Sequence, residues 1–459
     1  MSNSSKEKLS STLFQLEGIP PLSQAIPLAF QHVVAMIVGC VTPAIIVANV
    51  VSLDEKSRII LIQASLVVSA ISTFLQIFGF WGKIGSGLPV IMGVSFAYVP
   101  TLSSIAHDYG ISYIFGAQII GGIVAFIVGV FIKSFRKYFP PLITGTVVFT
   151  IGLSLYPTAV NYMAGGLNNK DVAKLATPNL LYGSVANWSI AILTLAVVII
   201  LNHYGKGILK LASILIGMGV GYLVAFFCGM VDLSPIFQSA IVQLPKVNYF
   251  GIKFNLSSCI AIGLLFAINA IQAIGDYTAT TVGGLDREPT MKELQNGITT
   301  YGLSNLAAAF VGGLPTATYS QNVGVVSTTK VVNRIVFAIA AFIILMAGLM
   351  PKFSALLTTI PQCVLGGATI SVFASIAMTG MRLLTSANMN SRNASIVGLS
   401  AALGVGISQA SSALAHMPQF IVTVFGKSPV VVATLLAIFL NLLLPEEREI
   451  KEKQFDDVK

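Results

Sequence analysis

Charged side chains are scarce in this 459-residue chain. Asp, Glu, Lys and Arg make up 9% of it, while hydrophobic residues make up 55%. Soluble globular domains carry about 25% charged residues, so this composition excludes that class. Inside a bilayer the backbone must satisfy its own hydrogen bonds, and long apolar runs do so as helices. The sequence therefore predicts an all-α polytopic membrane protein whose first partner is the lipid bilayer.

Motifs of enzyme chemistry are absent from the sequence. It contains no nucleophile elbow, no phosphate-binding Gly-Lys-Ser/Thr loop and no His/Cys cluster with metal-ligand spacing. The four cysteines, Cys40, Cys228, Cys259 and Cys363, lie in or beside apolar runs, where small buried residues are expected. We predict no catalytic residue, no metal and no bound cofactor, and hence a protein that is not an enzyme.

Apolar runs near the roughly 20 residues that a membrane-spanning helix needs recur along the chain. Twelve occur, at 28–50, 59–80, 112–132, 141–156, 187–202, 211–230, 257–281, 294–311, 335–350, 362–380, 394–410 and 428–444. Two further segments, near 88–106 and 315–330, are interrupted by Gly, Pro and polar residues. Counting these as spans 3 and 10 predicts fourteen membrane-spanning segments.

The distribution of Lys and Arg predicts the orientation. If all fourteen segments cross and the amino terminus is cytoplasmic, 18 of the 26 Lys and Arg residues fall on the inside, as the positive-inside rule favours. The net charge of +9 is then explained by topology, without nucleic-acid binding. We expect a cell-membrane protein with a cytoplasmic segment at 1–26, without a cleaved signal, and a cytoplasmic tail at 446–459.

The two interrupted segments resemble each other. Gly-Ser-Gly-Leu-Pro ends at Pro89 and Gly-Gly-Leu-Pro ends at Pro315; Phe96 and Asn322 each follow seven residues later. We expect Phe96 and Asn322 to face each other, at short strand-like breaks in spans 3 and 10. Because seven spans per half is an odd number, the halves must be inverted repeats, and such broken segments mark a midplane binding site in transporters.

Polar side chains at membrane depth are the candidates for function. Asp276 is the one acid inside a strong apolar run, and intramembrane acids usually line ion or substrate paths. Gln272 lies four residues earlier, on the same helix face. His32 is the one histidine in a span; a hydrogen bond between helices and direct ligand contact are both open for it.

The second interrupted segment adds two amides, Gln321 and Asn322. Each side-chain amide both donates and accepts, which suits a planar heterocycle with alternating N–H and C=O groups. The aromatic ring of Phe96 suits the face of such a ligand. For Lys330, which ends the segment, an anchor at the membrane surface and a gating role are equally compatible with the sequence.

Gln-Asn-Val-Gly-Val-Val-Ser-Thr-Thr-Lys, from Gln321 to Lys330, resembles the signature of the nucleobase-ascorbate transporters, the nucleobase:cation symporter-2 family. That signature is Gln/Glu/Pro-Asn-x-Gly, four variable residues, Thr, then Arg/Lys/Gly, and Gly324 and Thr329 occupy two of its fixed positions. Other similar motifs run along nearly the whole chain. The resemblance implies a homodimer in which a core domain carries the site and moves against a gate domain like an elevator.

By the family pattern, the core comprises 27–135 (spans 1–4) and 254–350 (spans 8–11). The gate comprises 136–232 (spans 5–7) and 351–445 (spans 12–14). The resemblance implies a purine substrate, with xanthine or urate favoured by Gln321 and uracil or another nucleobase as the alternative. Gln272, Gln321 and Asn322 would bond the base and Phe96 would stack on it. Backbone amides near Ser95 and Gly324 would assist.

Two residues depart from the family pattern. Gln272 stands where the family usually has Glu, and Tyr301 stands where many purine carriers have Asp. Asp276 then remains as the acid for coupling, with His32, Thr329 and Lys330 in support; H⁺ is the expected coupling ion and Na⁺ the alternative. Two other functions stay open: an uncoupled purine facilitator or sensor, and a carrier of inorganic or dicarboxylic anions with the same fold.

Overall fold

The computed structural model describes residues 12–79, 82–136, 140–170, 177–418, 421–426 and 428–445. Residues 1–11 of the predicted amino-terminal segment and the predicted tail at 446–459 lie outside these described residues. The described part is mostly helical, with two very short strands. The predicted all-α membrane fold with strand-like breaks is confirmed.

The main elements are fifteen helices of eight or more residues and two strands within the described ranges. In chain order they are α1 (Leu22–Val50), α2 (Glu55–Phe78), β1 (Met92–Val94), α3 (Val99–Tyr109), α4 (Ile111–Val130), α5 (Pro141–Met163), α6 (Val185–Tyr204), α7 (Ser213–Phe227), α8 (Leu256–Leu285), α9 (Met291–Val311), β2 (Thr316–Thr318), α10 (Ser320–Thr329), α11 (Arg334–Gly348), α12 (Pro351–Thr358), α13 (Gln362–Thr385), α14 (Ser391–Gln409) and α15 (Pro429–Leu443). Shorter helical segments occupy Thr12–Phe14, Phe96–Tyr98, Ile132–Arg136, Leu167–Lys170, Pro178–Leu180, Ile208–Leu211, Ser234–Gln238, Ser411–Leu414 and Val422–Gly426.

Each of the twelve predicted apolar runs overlaps one of these helices. Seven of the described helices are long and apolar enough by themselves to cross a membrane: α1, α2, α4, α5, α6, α8 and α13. Helix α11 joins α12 through a bend of 77°, and together they make an eighth candidate. The run predicted at 335–350 is therefore part of a bent pair. Helices α7 and α15 have 15 residues each, short of the usual spanning length.

The two interrupted segments meet as an antiparallel pair of strands. Gly93 lies opposite Ala317, Met92 opposite Thr318 and Val94 opposite Thr316. Gly93 and Ala317 are the central residues of the two strands and therefore equivalent positions of the repeat. Phe96 lies three residues after Gly93, so its equivalent in the second half is Ser320, three residues after Ala317. The predicted correspondence of Phe96 with Asn322 is wrong by two residues, since β1 begins three residues after Pro89 whereas β2 begins directly after Pro315.

The helices pack in two groups. The first group joins α1, α2, α4, α8, α9 and α11, with β1, β2 and α10 among them. The second group joins α5, α6, α7, α13, α14 and α15. Helices α5 and α13 are in close contact because both carry glycine at their crossing: a Cβ at Gly152 would lie 2.4 Å from the amide of Ala377, and one at Gly380 would lie 2.2 Å from that of Phe149. Small residues allow such close helix packing in membranes.

Candidate functional site

Asp276 lies where the strand pair meets α8. Its carboxylate accepts hydrogen bonds from the hydroxyl of Thr318 at 2.5 Å and from that of Ser320 at 2.7 Å. Thr318 ends β2 and Ser320 begins α10, so the break between strand and helix turns both hydroxyls towards the acid. Asp276 is 8% exposed. An isolated carboxylate would be costly at this depth, and two hydroxyl donors offset part of that cost.

A cavity of about 120 Å³ lies beside this cluster. Four predicted site residues line it: Ser95, Phe96, Gln272 and Gln321. The other lining residues are Ala97, Val148, Ile151, Thr318, Tyr319, Ser320, Ser375, Ile376 and Thr379. The cavity lies between the two helix groups, since α5 and α13 supply Val148, Ile151 and the last three residues. Small-molecule sites commonly combine apolar walls with a few polar groups in this way.

Gln272 offers an acceptor that the protein leaves unused. Its side-chain oxygen Oε1 is buried and has no hydrogen-bond partner among the described residues. Buried acceptors are nearly always paired, and leaving one unpaired costs about 1–3 kcal/mol. Because the side chain lines the cavity one turn before Asp276, this oxygen is the candidate acceptor for an N–H group of a ligand.

Phe96 covers the side of the cavity next to α13. Its ring packs edge-on against Phe373, with the ring centres 5.0 Å apart at 79°. Phe96 is 5% exposed and lines the cavity, so its ring is the aromatic surface offered to a ligand from this side. Ser95 is partly committed elsewhere: its amide donates to the carbonyl of Pro315 at 3.2 Å, and its hydroxyl accepts from the amide of Ala97 at 3.2 Å. We predicted that backbone amides near Ser95 assist ligand binding. The amide of Ser95 itself is already bonded to Pro315, so it is not one of them.

Asn322 lies behind the cavity. It is 1% exposed, and its side-chain amide donates to Nδ1 of His32 at 3.1 Å and to the carbonyl of His32 at 3.0 Å. The ring of His32 packs at 4.4 Å against that of Phe337. Asn322 and His32 thus connect α10 with α1, and neither is among the residues that line the cavity.

Tyr301 is also buried away from the cavity. It is 1% exposed, and its hydroxyl hydrogen-bonds to that of Tyr98, which is fully buried. Both rings pack on Phe266, with ring centres 5.0 and 5.5 Å away. The hydroxyl of Tyr301 thus joins α9 to the segment after β1. An Asp at this position, as in many purine carriers, would need another hydrogen-bond partner.

The remaining signature residues follow α10 away from the cavity. Gly324 is exposed, and a Cβ added there would meet no atom within 4 Å. The same holds for Gly275 on α8, so both glycines border open space. Thr329 bonds its own helix at Val325, and Lys330 forms an exposed ion pair of 3.2 Å with Asp286. These last two side chains act at the end of α10.

Sequence reasoning missed Thr318 and Ser320 as partners of Asp276. It also missed Ser375 and Thr379 on α13, which complete the cavity from the second helix group. Their spacing of four residues is the available signal, since it puts both on one helix face. That signal is weak, because each hydroxyl bonds a carbonyl of its own helix, as Ser and Thr commonly do in helices.

The described residues contain no cluster of three or more His, Cys, Asp or Glu side chains suited to a metal ion. A larger cavity of about 350 Å³ lies elsewhere between the helix groups and is lined almost wholly by apolar residues. The smaller polar cavity fits a ligand with hydrogen-bonding edges better. Its amides, hydroxyls and the aromatic residues Phe96 and Tyr319 can recognise such a ligand by shape and hydrogen bonds.

Comparisons with known proteins agree on a family. Residues 23–412 match the Xan_ur_permease model, described as Permease family. The chain is 32% identical over 431 residues to a putative purine permease of Clostridium perfringens, covering 93% of this chain and 91% of that protein. It is 31% identical over 456 residues to the xanthine permease XanP of Escherichia coli, covering 96% of each.

The fold also has a counterpart among solved structures. The transmembrane domain of the cyanobacterium bicarbonate transporter BicA matches with a TM-score of 0.57, covering 93% of this chain and all of that domain. Identity is 14%, so this likeness shows the fold alone, an inverted-repeat membrane fold.

Proposed function

The chain belongs to the Permease family of nucleobase-ascorbate transporters, and from this premise we propose that it takes up a purine, xanthine or urate, across the cell membrane. The observation that carries this proposal is the polar cavity between the two helix groups. It combines an unpaired buried acceptor on Gln272, the exposed amide of Gln321 and the ring of Phe96. A purine has N–H and C=O groups around its edge and an aromatic face, which matches this set.

Each side chain then has a role. Gln272 accepts an N–H of the base, Gln321 bonds a second edge and Phe96 packs against the face. Asn322 is a positioning residue, because it holds the start of α10 against His32. The hydroxyls of Ser375 and Thr379 border the base from the second helix group.

Transport requires the site to face each side of the membrane in turn. We propose that the first helix group is the core, 27–135 with 254–350, and moves past the gate, 136–232 with 351–445. Most polar groups of the cavity belong to the core, whereas the gate supplies two hydroxyls and a largely apolar wall. A wall with few polar bonds favours sliding, since little has to be broken when the core moves.

Gly275 and Gly324 support an inward-facing arrangement. Both border open space, and Gly324 lies on α10, which ends beside Lys330. The Lys and Arg distribution predicts that Lys330 and both chain termini are cytoplasmic. The cavity would thus open towards the cytoplasm along α10.

We propose coupling to a proton through Asp276, which accepts hydrogen bonds from Thr318 and Ser320, two residues that line the cavity. Na⁺ is the alternative ion. Gln272 and Tyr301 stand at positions where the family usually carries acids, and this favours one second candidate, an uncoupled purine facilitator or sensor.

An inorganic anion is a poorer fit as the substrate, since no Lys or Arg lines the cavity within the described residues. We also propose a homodimer, the assembly that the family resemblance implies.

Uptake of radiolabelled xanthine, urate, guanine and uracil, with and without a protonophore, tests these proposals in cells that lack their own carriers. Accumulation of one purine that collapses with the protonophore is the expected result. Equilibration without accumulation would replace the symporter by the facilitator. Binding without flux would identify a sensor. Uptake of bicarbonate or sulfate in place of purines would overturn the substrate class.

A further inference from the structure

A long apolar crevice lies between the two helix groups, and Asp276 is not among the residues that line it. It holds about 350 Å³. Helices α1, α11 and α12 form one wall, with Val34, Ile343 and Leu357; α7 and α13 form the other, with Met218 and Leu365. Its two polar residues are Thr42, whose hydroxyl bonds the carbonyl of Val38, and Tyr222. Water has almost nothing to bond to in such a space.

The crevice is open at the protein surface, where its lining includes exposed apolar side chains. Phe30, Leu215 and Leu356 line it and are 48%, 39% and 39% exposed. Gly219 also lines it, and a Cβ at that position would meet no atom within 4 Å. Because α1 is long and apolar enough to cross a membrane, we infer that the medium at this opening is lipid. An acyl chain would bury apolar surface along the groove.

One end of the crevice continues into a polar cavity. The two spaces share Ile45 and Ile360, and the polar one holds about 270 Å³. A hydrogen bond of 2.9 Å between Tyr222 and Thr359 marks their boundary. The polar cavity lies where α1 ends at Val50 and α2 begins at Glu55; we infer that these ends of two apolar helices lie at the level of lipid headgroups.

The polar cavity carries charges of both signs. Arg58 lines it, and its Nε donates to the carbonyl of Leu53 at 2.8 Å, which orients the guanidinium. Glu55 and Asp232 line it as well, and Glu55 accepts a hydrogen bond of 2.5 Å from Thr358. One guanidinium suits a phosphate, and two carboxylates suit an ammonium group.

We propose that a zwitterionic phospholipid with a phosphoethanolamine headgroup binds here. One acyl chain lies in the apolar crevice, the phosphate lies at Arg58, and the ammonium lies near Glu55 and Asp232. The lipid contacts both helix groups. It therefore stabilises the arrangement in which these walls stand opposite each other and opposes movements that separate them. The proposed lipid binding does not depend on the proposed purine transport. Only the effect of the lipid on transport rests on that proposed function.

The test uses the full-length protein in nanodiscs that contain a photoactivatable phosphatidylethanolamine. After irradiation, mass spectrometry maps the labelled peptides. Gly219→Phe fills the crevice, and Gly398→Phe is the matched control, since Gly398 on α14 is also exposed and also faces open space. We expect labelling of α1 and α7 peptides to fall about tenfold with Gly219→Phe, the loss of affinity that excluding buried methylene groups implies, and to stay at the wild-type level with Gly398→Phe.

Competition with unlabelled lipids tests the headgroup. Phosphatidylethanolamine should displace the probe from the wild type, and Arg58→Gln should weaken that displacement. Equal displacement by anionic phosphatidylglycerol would overturn the zwitterionic assignment, and label elsewhere than the crevice peptides would overturn the site. Gel filtration of each variant detects misfolding, and Gly219→Leu provides a smaller filling residue if Gly219→Phe fails. If the crevice is labelled normally but the protein transports no purine, the result would contradict the proposed function and leave the lipid site supported.

Discussion

Asn322 donates its side-chain amide to Nδ1 and to the carbonyl oxygen of His32, at 3.1 and 3.0 Å. The two residues lie 290 positions apart in the chain and join the helix after β2 to the first helix. Nδ1 of His32 accepts, so its neutral ring carries the proton on Nε2. Asn322 therefore joins the start of α10 to α1, while its neighbour Gln321 lines the cavity.

Asn322→Ala should destabilise the protein as well as reduce uptake. The substitution leaves buried groups of His32 unpaired, which costs about 1–3 kcal/mol. It also frees the start of α10. We expect a lower melting temperature in detergent together with reduced purine uptake. Thr328→Ala is the control on the same helix, since Thr328 is exposed and bonds its own backbone. Reduced uptake with an unchanged melting temperature would point to direct ligand contact.

Asp276→Asn should separate binding from accumulation. The amide keeps the size of the side chain but removes the titratable group that Thr318 and Ser320 hold. We expect purine binding to be retained while uptake no longer exceeds equilibration. Binding is measured on purified protein and accumulation in proteoliposomes with an imposed pH gradient. Thr318→Ser, which keeps the hydroxyl, should accumulate substrate normally; accumulation by Asp276→Asn would rule out this acid as the coupling group.

Gln272→Glu tests whether the amide suits an anionic base. A carboxylate at this position would stand one turn from Asp276 and repel an ionised urate. We expect urate affinity to fall by about tenfold or more, equivalent to about 1.4 kcal/mol, above the pH at which urate ionises. Affinity for an uncharged purine should change less. Urate binding that stays the same across that pH would refute the idea.

Phe96→Ala should raise the KM for purine. Aromatic pairs contribute about 0.5–1.5 kcal/mol beyond their buried area, so a loss of roughly 2- to 10-fold in affinity is expected. The ring's contact with Phe373 disappears too, which lowers stability. Phe96→Tyr retains the ring and serves as the control. An unchanged KM for Phe96→Ala, measured by initial uptake rates, would remove stacking from the site.

Tyr301→Phe should affect stability and leave recognition intact. It leaves the buried hydroxyl of Tyr98 without this partner, at a cost of about 1–3 kcal/mol. Because Tyr301 is absent from the cavity lining, the KM for purine should match that of the wild type. A KM shifted by a factor comparable to that of Phe96→Ala would mean that Tyr301 acts on the substrate site.

Much of the fold could be predicted from the sequence because hydrophobic run length and Gly/Pro interruption are local signals. Both predicted breaks contain a strand, at β1 and β2. The correspondence between the halves was wrong by two residues, because the prolines stand at different distances from their strands. Hydrogen-bond register depends on which strands meet, and that information is not local.

The candidate site shows the same division. Polar residue types at membrane depth indicated Gln272, Asp276 and Gln321. Which of them share a space depends on packing. Ser375 and Thr379 reach the cavity because α13 packs beside it, although their hydroxyls bond their own helix like many others.

By itself, the sequence determined that this is a membrane protein, that its two halves are inverted repeats and that polar residues concentrate at two interrupted segments. These features follow from composition and spacing, because lipid penalises unpaired polar groups wherever they occur. Only the tertiary structure decided that Gln321 reaches the cavity while Asn322 turns to His32, and that Tyr301 pairs with Tyr98. A helix turns by about 100° per residue, so adjacent side chains point in different directions. Packing of the helices alone decides which side chain faces the cavity and which contacts another part of the protein.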